Sequence, residues 1–382
     1  MTTPPALLPT YAPFPFEMLR GVQDRIYAAD GRVFWDYYGG HCVASTGHCH
    51  PDVVAALSEQ AQSLLFYSTA GQLALREQTA EALIHYAAGS GLTSVFFCNS
   101  GAEANENALK VAHKLTGRPK ILSFAGGWHG RSLACLAATD DAKITEPYRA
   151  WLPPSVRLPF NDSAALDALD WSGIAAVIVE PIQSLAGVRM ADPAWLSHLA
   201  HTAKAHGSLL ILDEIQTGVG RLGSAFAANH FAIEPDLLTS AKGLASGVPI
   251  GALLMRAEIA QQLKAGDLGS TFGAGPLACA AALATLKVII AERLSERALY
   301  CEQRIREACG QLGIAVLGRG LLLGLAHSQA SELRAHLFSH HILVGASSDP
   351  NVLRLMPPLN LSDAALTALF AALALFPASS VS

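Results

Sequence analysis

The chain has 382 residues, of which 26 are basic and 31 are acidic, so its formal net charge is −5. This mild acidity, without long runs of charge, argues against a nucleic-acid-binding protein. Apolar residues make up 51% of the chain and charged residues 15%, which suffices for large cores and excludes a disordered protein. The apolar stretch Ala364–Phe376 is too short for a bilayer, which needs about 20 residues, so we expect no action at a membrane.

The cysteines and the N-terminus indicate where the protein works. Seven cysteines are an odd number, and no two of them form a CxxC pair. Free thiols of this kind fit a reducing cytoplasm better than a disulfide framework. The segment Met1–Pro15 lacks the basic and apolar regions of a secretory signal. We therefore expect a cytoplasmic protein, and its length predicts two or three domains.

The middle of the chain alternates short apolar runs with amphipathic stretches of helical length, such as Ala102–Leu115 and Pro193–His206. The apolar runs are continuous in Val, Ile and Leu, as expected for a sheet that is buried on both faces. This alternation predicts a large, mostly parallel, doubly wound α/β domain over residues 46–275. Its predicted strands are Ser94–Phe97, Lys120–Phe124, Ala175–Val179, Ser208–Leu212, Asp236–Thr239 and Gly251–Met255.

After residue 275 the pattern changes, which predicts a smaller α+β domain over residues 276–382. A long helix is predicted from Leu277 to Cys309, followed by short strands and further helices. We expect the N-terminal segment, residues 1–45, to pack with this smaller domain. The predicted strands are Ile314–Leu317, Leu321–His327 and Val352–Leu355, and the predicted helices are Ser331–His340 and Ser362–Phe376.

Polar side chains follow five of the predicted strands, at the edge where a parallel sheet binds its ligands. Chance gives one or two such strand ends, whereas five together predict a single site. The segments that follow the strands are Cys98–Glu103, Ala125–Arg131, Glu180–Gln183, Asp213–Gln216 and Ser240–Gly243.

Ser100, Gly101 and Ala102 open the helix that follows the first of these strands. Small residues at a helix N-terminus leave backbone N–H groups unpaired at the positive end of the helix dipole, which suits a phosphate. An ordinary Ser N-cap followed by a glycine turn explains the same residues. This motif by itself leaves both interpretations open.

Lys242 differs from the other lysines of the chain, which fall on helix faces, in loops or at a strand start. It follows an apolar strand, and a desolvated lysine has a lowered pKa and forms Schiff bases with carbonyl compounds. Asp213 ends the preceding strand, where a carboxylate can keep a pyridine nitrogen protonated. Trp128 can stack on such a ring or fill the core. Each residue alone also fits a structural role, but together they form the arrangement that a pyridoxal cofactor requires.

Other chemistries fit the sequence less well. The segment Gly218–Gly223 matches GxGxxG, but five residues separate it from the strand, whereas a dinucleotide-binding turn begins where the strand ends. An NAD-dependent dehydrogenase is therefore a distant alternative. The histidines form no HExxH motif and the chain contains no GxSxG, so neither a metal site nor a serine hydrolase is predicted.

The motifs that surround these residues resemble those of the class III (subgroup II) pyridoxal-phosphate aminotransferases, within the acetylornithine/ornithine branch. The resemblance extends from Asp30 to Leu359. The motifs that carry it are GHCHP (Gly47–Pro51), FFCNSGAEANENALK (Phe96–Lys110), WHGRS (Trp128–Ser132), EPIQ (Glu180–Gln183), LLILDEIQTGVGRLG (Leu209–Gly223), SAKGLASGVPIGA (Ser240–Ala252), GSTFGAGPLACAAAL (Gly269–Leu283) and VLRLMPPL (Val352–Leu359).

The resemblance implies a fold type I enzyme that works as a homodimer with a shared active site and pyridoxal 5′-phosphate. It implies that Lys242 forms the Schiff base and shuttles the proton, and that Asp213 pairs with the pyridine nitrogen. Gln216 is expected to pair with the phenolic oxygen, and Trp128 to stack on the ring, where relatives usually carry Phe or Tyr. The residues expected around the phosphate are Ser100, Gly101 and Ala102, with Thr271 from the neighbouring subunit.

Two arginines are expected to recognise the substrates, because the planar guanidinium pairs bidentately with carboxylates. Arg131 resembles the family's α-carboxylate binder, and Arg354 resembles its second arginine, which in relatives takes a carboxylate of 2-oxoglutarate. Relatives of the ornithine type read EPIQGE, with a glutamate that covers the second arginine, but here Gln183 is followed by Ser184 and Leu185. Either another carboxylate substitutes, or Arg354 meets a carboxylate in both half-reactions.

The resemblance thus predicts a ping-pong aminotransferase of arginine biosynthesis. It is expected to move the ω-amino group of an acylated diamino acid, foremost N2-acetylornithine, to 2-oxoglutarate, giving a semialdehyde and glutamate. The alternative donors are ornithine, succinylornithine, a carrier-linked lysine precursor, 4-aminobutyrate and a racemase-type substrate.

Overall fold

A computed structural model describes residues 6–8 and 10–377 of the chain. In chain order the strands are β1 (Met18–Val22), β2 (Arg25–Ala28), β3 (Val33–Asp36), β4 (Ser94–Cys98), β5 (Lys120–Phe124), β6 (Ser155–Leu158), β7 (Ile174–Val179), β8 (Ile182–Gln183), β9 (Arg189–Met190), β10 (Leu209–Asp213), β11 (Leu237–Ser240), β12 (Gly251–Met255), β13 (Ala315–Arg319), β14 (Leu322–Ala326), β15 (Ile342–Leu343), β16 (Gly345–Ala346) and β17 (Val352–Leu355). The α-helices are α1 (Gly39–Cys42), α2 (Pro51–Ser63), α3 (Ala74–Tyr86), α4 (Gly101–Thr116), α5 (Leu133–Ala138), α6 (Ala142–Thr145), α7 (Ser163–Asp167), α8 (Pro193–Ala205), α9 (Ala227–Phe231), α10 (Ala257–Ala260), α11 (Pro276–Ala291), α12 (Leu294–Gln311), α13 (Ala330–Ser339) and α14 (Asp363–Ala374). Short 3₁₀ helices span Glu146–Trp151 and Lys242–Ala245.

The central sheet has the strand order β4-β12-β11-β10-β7-β5-β6. Its neighbouring strands run parallel except for β12, which is antiparallel to both β11 and β4. Only residues 241–250 separate β11 from β12, too few for the crossover of about a dozen residues that a parallel neighbour requires. The predicted mostly parallel α/β architecture is confirmed, and the ends of its predicted strands are correct to within one residue.

The edge strand β6 has no counterpart among the predicted strands. It pairs with β5 alone, and its residues alternate between exposed and half-buried. An edge strand has one neighbour and one free side, so it needs no continuous apolar run. The sequence pattern that identifies the buried strands therefore misses it.

Alternate residues of the central strands pack on opposite faces of the sheet. On β7, Val177 and Val179 belong to one apolar cluster, whereas Ala176 and Ile178 belong to another. Strand side chains have a period of two, so the sheet is covered on both faces. Burying each Val or Ile contributes about 1.5–3 kcal/mol. The carboxyl ends of these strands are therefore held by a well-packed core.

The remaining strands form smaller sheets, and one of these joins the two ends of the chain. One antiparallel sheet has the order β13-β14-β17-β16, and another combines β1, β2 and β3 with β15. In the second sheet β15 runs parallel to β3, so residues near the N-terminus pair with residues near the C-terminus. The division into domains at residues 45 and 275 stays a prediction.

The prediction of one long helix from Leu277 to Cys309 is wrong, because this stretch forms two helices, α11 and α12. Arg293 lies between the two helices in the left-handed conformation, with a φ of 52°. Helix α11 is buried around most of its circumference and packs on α2 and α3, whereas α12 exposes a charged face. The chain changes direction between these environments without the Gly or Pro that marks a helix end in sequence.

The apolar C-terminal stretch forms α14, which packs against α12 and α13. Among the described residues, no helix has both the length and the apolar character that a membrane span requires.

Candidate active site

A cavity of about 290 Å³ lies at the carboxyl ends of the central strands. Residues that follow β4, β5, β7, β10 and β11 all contribute to its wall, as the sequence predicts. The cavity therefore lies where an open parallel sheet binds its ligands. The predicted site residues on its wall are Ser100, Gly101, Ala102, Trp128, Asp213, Gln216 and Lys242.

The N-terminus of α4 supplies one end of this cavity. The Ser100 hydroxyl accepts the N–H of Glu103 at 3.1 Å, so Ser100 is the N-cap of the helix. The N–H groups of Gly101 and Ala102 find no acceptor in residues 6–8 and 10–377. A Cβ at Gly101 would lie 2.6 Å from Ile215 Cδ1, so a side chain there would disturb the wall. The N-cap and the anion site are thus compatible, because the cap leaves two N–H groups free at the positive end of the helix.

Asp213 ends β10 and is only 3% exposed. Its Oδ2 accepts hydrogen bonds from Asn105 Nδ2 at 2.7 Å and from His129 Nδ1 at 2.8 Å, and its Oδ1 accepts the N–H of Ile215 at 3.2 Å. Asn105 is oriented in turn by the Thr239 hydroxyl, 2.7 Å from its Oδ1. These donors hold the carboxylate in one orientation. Sequence reasoning misses Asn105 and His129, although the place of His129 in the segment after β5 was an available signal.

Lys242 begins the 3₁₀ helix after β11 and lies on the wall of the same cavity. Its φ of 43° is in the left-handed region, which is uncommon for a residue with a side chain and costs about 1–3 kcal/mol. Burial lowers the pKa of Lys242, while the negative charges of Asp213 and Glu180 oppose that effect. A lysine with a lowered pKa is a better nucleophile and base near neutral pH.

Glu180 is a second buried carboxylate of the cavity, for which no role is predicted from the sequence. Its Oε2 accepts the N–H of Trp128 at 2.8 Å. Burial raises the pKa of Glu180 to about 7, the charge of Asp213 adds to this, and His129 opposes it. The cavity thus holds two carboxylates in different environments, Asp213 with three donors and Glu180 with one.

Of the other predicted site residues, two lie on the wall of this cavity and two lie outside it. Trp128 and Gln216 lie on the wall and are half-buried. Arg131 is exposed and outside the cavity, with its guanidinium 5.3 Å from the centroid of the Trp128 ring, a cation–π distance. Thr271 is exposed and is not on the wall of the cavity in its own chain.

Arg354 lies on β17 and is only 6% exposed. Its Nε donates to the carbonyl oxygen of Ala346 at 2.6 Å, and its Nη1 donates to Ser184 Oγ at 3.0 Å. In the part of the chain that the structure describes, no carboxylate pairs with it. Leu185, at the position of the relatives' glutamate, offers only its backbone oxygen, which accepts from Ser348. Burial lowers the pKa of Arg354, and the side chain faces a second cavity, of about 570 Å³.

The Gly218–Gly223 segment forms consecutive turns and does not open a helix, since α9 begins only at Ala227. Arg221 within it is buried and donates to the carbonyl oxygens of Leu321 and Pro357. The segment therefore connects the central sheet to the C-terminal strands. It lacks the strand–turn–helix geometry of a dinucleotide-binding site.

The mostly parallel sheet with a cavity at its carboxyl edge agrees with a fold type I pyridoxal-phosphate-dependent enzyme, the fold class of the similar solved structures. Comparison with known proteins gives the family. Residues 9–375 match the family described as Aminotransferase class-III. The chain belongs to the class III aminotransferases, and it is a pyridoxal-phosphate-dependent aminotransferase.

Curated relatives and solved structures agree with this family. The acetylornithine aminotransferase of Archaeoglobus fulgidus is 38% identical over 94% of each chain. That of Streptomyces coelicolor is 40% identical over 93% of this chain and 89% of its own. The acetylornithine aminotransferase structure from Elizabethkingia anophelis has a TM-score of 0.82 and 31% identity, covering 95% of this chain and 94% of that one. The ornithine aminotransferase structure from Toxoplasma gondii, with pyridoxal phosphate at partial occupancy, has a TM-score of 0.88 and 31% identity, covering 96% and 92%.

Proposed function

We propose that the protein transfers the ω-amino group of N2-acetylornithine to 2-oxoglutarate by a ping-pong mechanism. The relatives named acetylornithine aminotransferase, 37–40% identical over nearly the whole chain, support this donor. The observation that carries the proposal is the cavity that Lys242 and Asp213 share with the unpaired N–H groups of α4. The reaction belongs to the biosynthesis of arginine.

The residues of the cavity fit pyridoxal phosphate. The free N–H groups of Gly101 and Ala102 suit its phosphate, with the Ser100 hydroxyl beside them. The buried carboxylate of Asp213 suits its pyridine nitrogen, and the half-buried indole of Trp128 suits one face of its ring. We assign Gln216, on the same wall, to the phenolic oxygen.

The chain's own residues supply the proton transfer. Pyridoxal phosphate, when bound, supplies the carbonyl that takes up the amino group and a ring that withdraws electrons. Lys242 Nζ, with its pKa lowered by burial, would take the proton from the substrate carbon that bears the amino group. It would deliver that proton to the cofactor carbon that receives the amino group. Asp213 keeps the pyridine nitrogen protonated, and Asn105 and His129 hold Asp213 in place.

The two arginines are assigned to substrate carboxylates. Arg131 is exposed and lies next to Trp128, and we assign it to the α-carboxylate of the donor. Arg354 is buried and forms no ion pair with any described residue, which suits a carboxylate of 2-oxoglutarate. Because that arginine is not covered by an internal carboxylate, other donors stay open, namely ornithine, succinylornithine, a carrier-linked lysine precursor and 4-aminobutyrate.

A homodimer with a shared active site is part of the proposal. Leu65, Tyr67 and Phe272 are 57–62% exposed, and the rings of Phe66 and Phe272 lie 4.9 Å apart. An apolar surface of this kind favours burial against a second copy. Thr271 adjoins Phe272 in sequence, and we assign it to the phosphate site of the partner subunit. We place this dimer in the cytoplasm, which agrees with the free cysteines of the described chain.

Replacement of the lysine tests the proposal. Lys242→Ala is expected to lower kcat with acetylornithine and 2-oxoglutarate by about a thousandfold, because the variant loses the amine to which the proton transfer is assigned. Lys204→Ala, at an exposed position on α8, is the matched control and is expected to keep wild-type turnover. Full turnover by Lys242→Ala would overturn the proposal.

A panel of amino donors, followed by glutamate formation, tests the donor. We expect acetylornithine to give the highest kcat/KM. A higher kcat/KM with ornithine, succinylornithine or 4-aminobutyrate would reassign the donor within the same family.

A further inference from the structure

Helix α5 begins shortly after Arg131, yet it does not cap its own N-terminus. Ser132 is at the N-cap position, but its hydroxyl accepts none of the N–H groups of the helix. The first N–H groups of a helix have no partner within the helix, so another group must accept them. Here that group is the carboxylate of Glu106, which lies on α4.

Glu106 accepts three hydrogen bonds from the start of α5. Its Oε1 accepts the N–H of Ala134 at 3.3 Å, and its Oε2 accepts the N–H of Cys135 at 3.2 Å. The Ser132 hydroxyl donates to the same Oε2 at 2.6 Å. No lysine, arginine or histidine that the structure describes forms an ion pair with Glu106. The negative charge of Glu106 is therefore placed at the positive end of α5, where it is stabilising.

Helix α4 also holds the start of the segment that carries Arg131. Asn105 Nδ2 donates to the carbonyl oxygen of His129 at 2.8 Å. A Cβ at Gly130 would lie 3.0 Å from Ala102 Cβ, so the segment packs closely on the first turn of α4. Arg131 lies between this close contact and the start of α5, so α4 fixes the chain on both sides of it.

The side chain of Arg131 depends on this support. Its guanidinium forms no hydrogen bond or ion pair with any residue that the structure describes, and it lies 5.3 Å from the centroid of the Trp128 ring. The rotamers that a side chain can adopt depend on its backbone conformation. The hydrogen bonds between Glu106 and the start of α5 therefore limit where the guanidinium can lie.

We propose that Glu106 is a positioning residue for Arg131. Its carboxylate caps α5 in place of an N-cap side chain, and it thereby fixes the backbone from which the arginine reaches the carboxylate of the donor. The same helix presents the free N–H groups of Gly101 and Ala102, so α4 supports the phosphate site and the donor site together. This inference rests on the proposed function for the carboxylate that Arg131 binds, but the cap itself does not depend on the donor.

Steady-state kinetics with two amino donors test the role of Glu106. N2-acetylornithine carries the α-carboxylate, and N-acetyl-1,4-diaminobutane is the same amine without it. Glu106→Gln places an NH₂ group where an acceptor is needed, so it is expected to raise KM for acetylornithine by about fivefold and to change kcat by less than about twofold. For N-acetyl-1,4-diaminobutane, kcat/KM is expected to stay within about twofold of the wild-type value, because this donor offers Arg131 no carboxylate.

Further variants separate positioning from a general loss of structure. Glu106→Asp keeps the carboxylate and is expected to raise KM for acetylornithine by no more than about twofold. Glu307→Gln, at an exposed position on α12, removes the same charge and is expected to behave like the wild type. In a protein that carries Arg131→Gln, the addition of Glu106→Gln is expected to change KM by less than about twofold, because the arginine that Glu106 positions is absent. Equal losses with both donors would overturn the proposal, as would multiplication of the two effects in the double variant.

Hydrogen exchange of the holoenzyme tests the cap without turnover. Glu106→Gln is expected to speed exchange at the amides of Ala134 and Cys135 by about fivefold, and to leave exchange in α12 unchanged. Unchanged exchange at the start of α5 would overturn the cap, whatever the donor is. If the wild type uses ornithine instead of acetylornithine, the proposed donor is wrong, and the kinetic comparison is made with ornithine and 1,4-diaminobutane. The two proposals therefore fail separately.

Discussion

The cavity that contains Lys242 and the larger cavity that Arg354 faces differ in how their buried charged side chains are paired. Asp213 accepts three hydrogen bonds, and its charge acts on Lys242 within the same cavity. Arg354 is bound by neutral oxygens and shares its wall with Arg334. The first cavity balances its charges within the chain, which suits a cofactor that remains in place. The cavity that Arg354 faces has no aspartate or glutamate among its described lining residues, which suits anionic substrates that bind and leave.

The largest expected effect comes from the well-paired cavity. Asp213→Asn keeps the shape but removes the charge that holds a pyridine nitrogen protonated, so kcat is expected to fall by about a thousandfold. Steady-state turnover and cofactor content, measured on the same sample, separate loss of chemistry from loss of binding. Asp170→Asn, at an exposed position, serves as the control. Retention of more than a tenth of the wild-type kcat would contradict the role of Asp213.

An intermediate effect, on KM, is expected when a carboxylate is introduced beside Arg354. Ser184→Asp places a carboxylate next to Arg354 Nη1, which lies 3.0 Å from the present hydroxyl. The new ion pair is expected to raise KM for 2-oxoglutarate by about tenfold or more, because the substrate must displace it. Ser184→Asn is of the same size without the charge and is expected to change KM much less. Equal KM values for the two variants would show that Arg354 does not bind the acceptor.

The smallest expected effect concerns Glu180. Its pKa is raised from 4.5 in the unfolded chain to about 7, so the native state binds the proton more tightly. This contribution to stability is present below about pH 4.5 and is lost as the pH rises through about 7. Glu180→Gln is therefore expected to gain about 1–2 kcal/mol relative to the wild type between pH 5 and pH 8.

Urea unfolding of the protein at both pH values measures the effect of Glu180. Glu258→Gln, at a position whose side chain is 76% exposed, is the control and is expected to follow the wild type. If the difference between Glu180→Gln and the wild type stays constant between the two pH values, the native pKa of Glu180 is not raised.

The strands of the central sheet could be predicted from the sequence, but only some residues of the cavity that contains Lys242 could be. Continuous apolar runs mark the inner strands, so the ends of β5 and β12 were predicted to the residue. The polar residues after those strands gather at one edge because parallel strands end on the same side. Asn105 and His129 were missed, because a buried hydrogen bond to Asp213 leaves no periodic signal in the sequence.

The sequence by itself determined the α/β architecture, the family and the strand ends that surround Lys242, because local apolar patterns and ordered motifs encode them. Only the tertiary structure decided the break at Arg293, the edge strand β6 and the surroundings of Arg354. Ser184 and Ala346 are distant from each other in sequence, and both accept hydrogen bonds from Arg354; Ala346 reaches it through the pairing of β16 with β17. Residues that are distant in sequence determine whether a buried charge is paired, so a local sequence pattern cannot predict it.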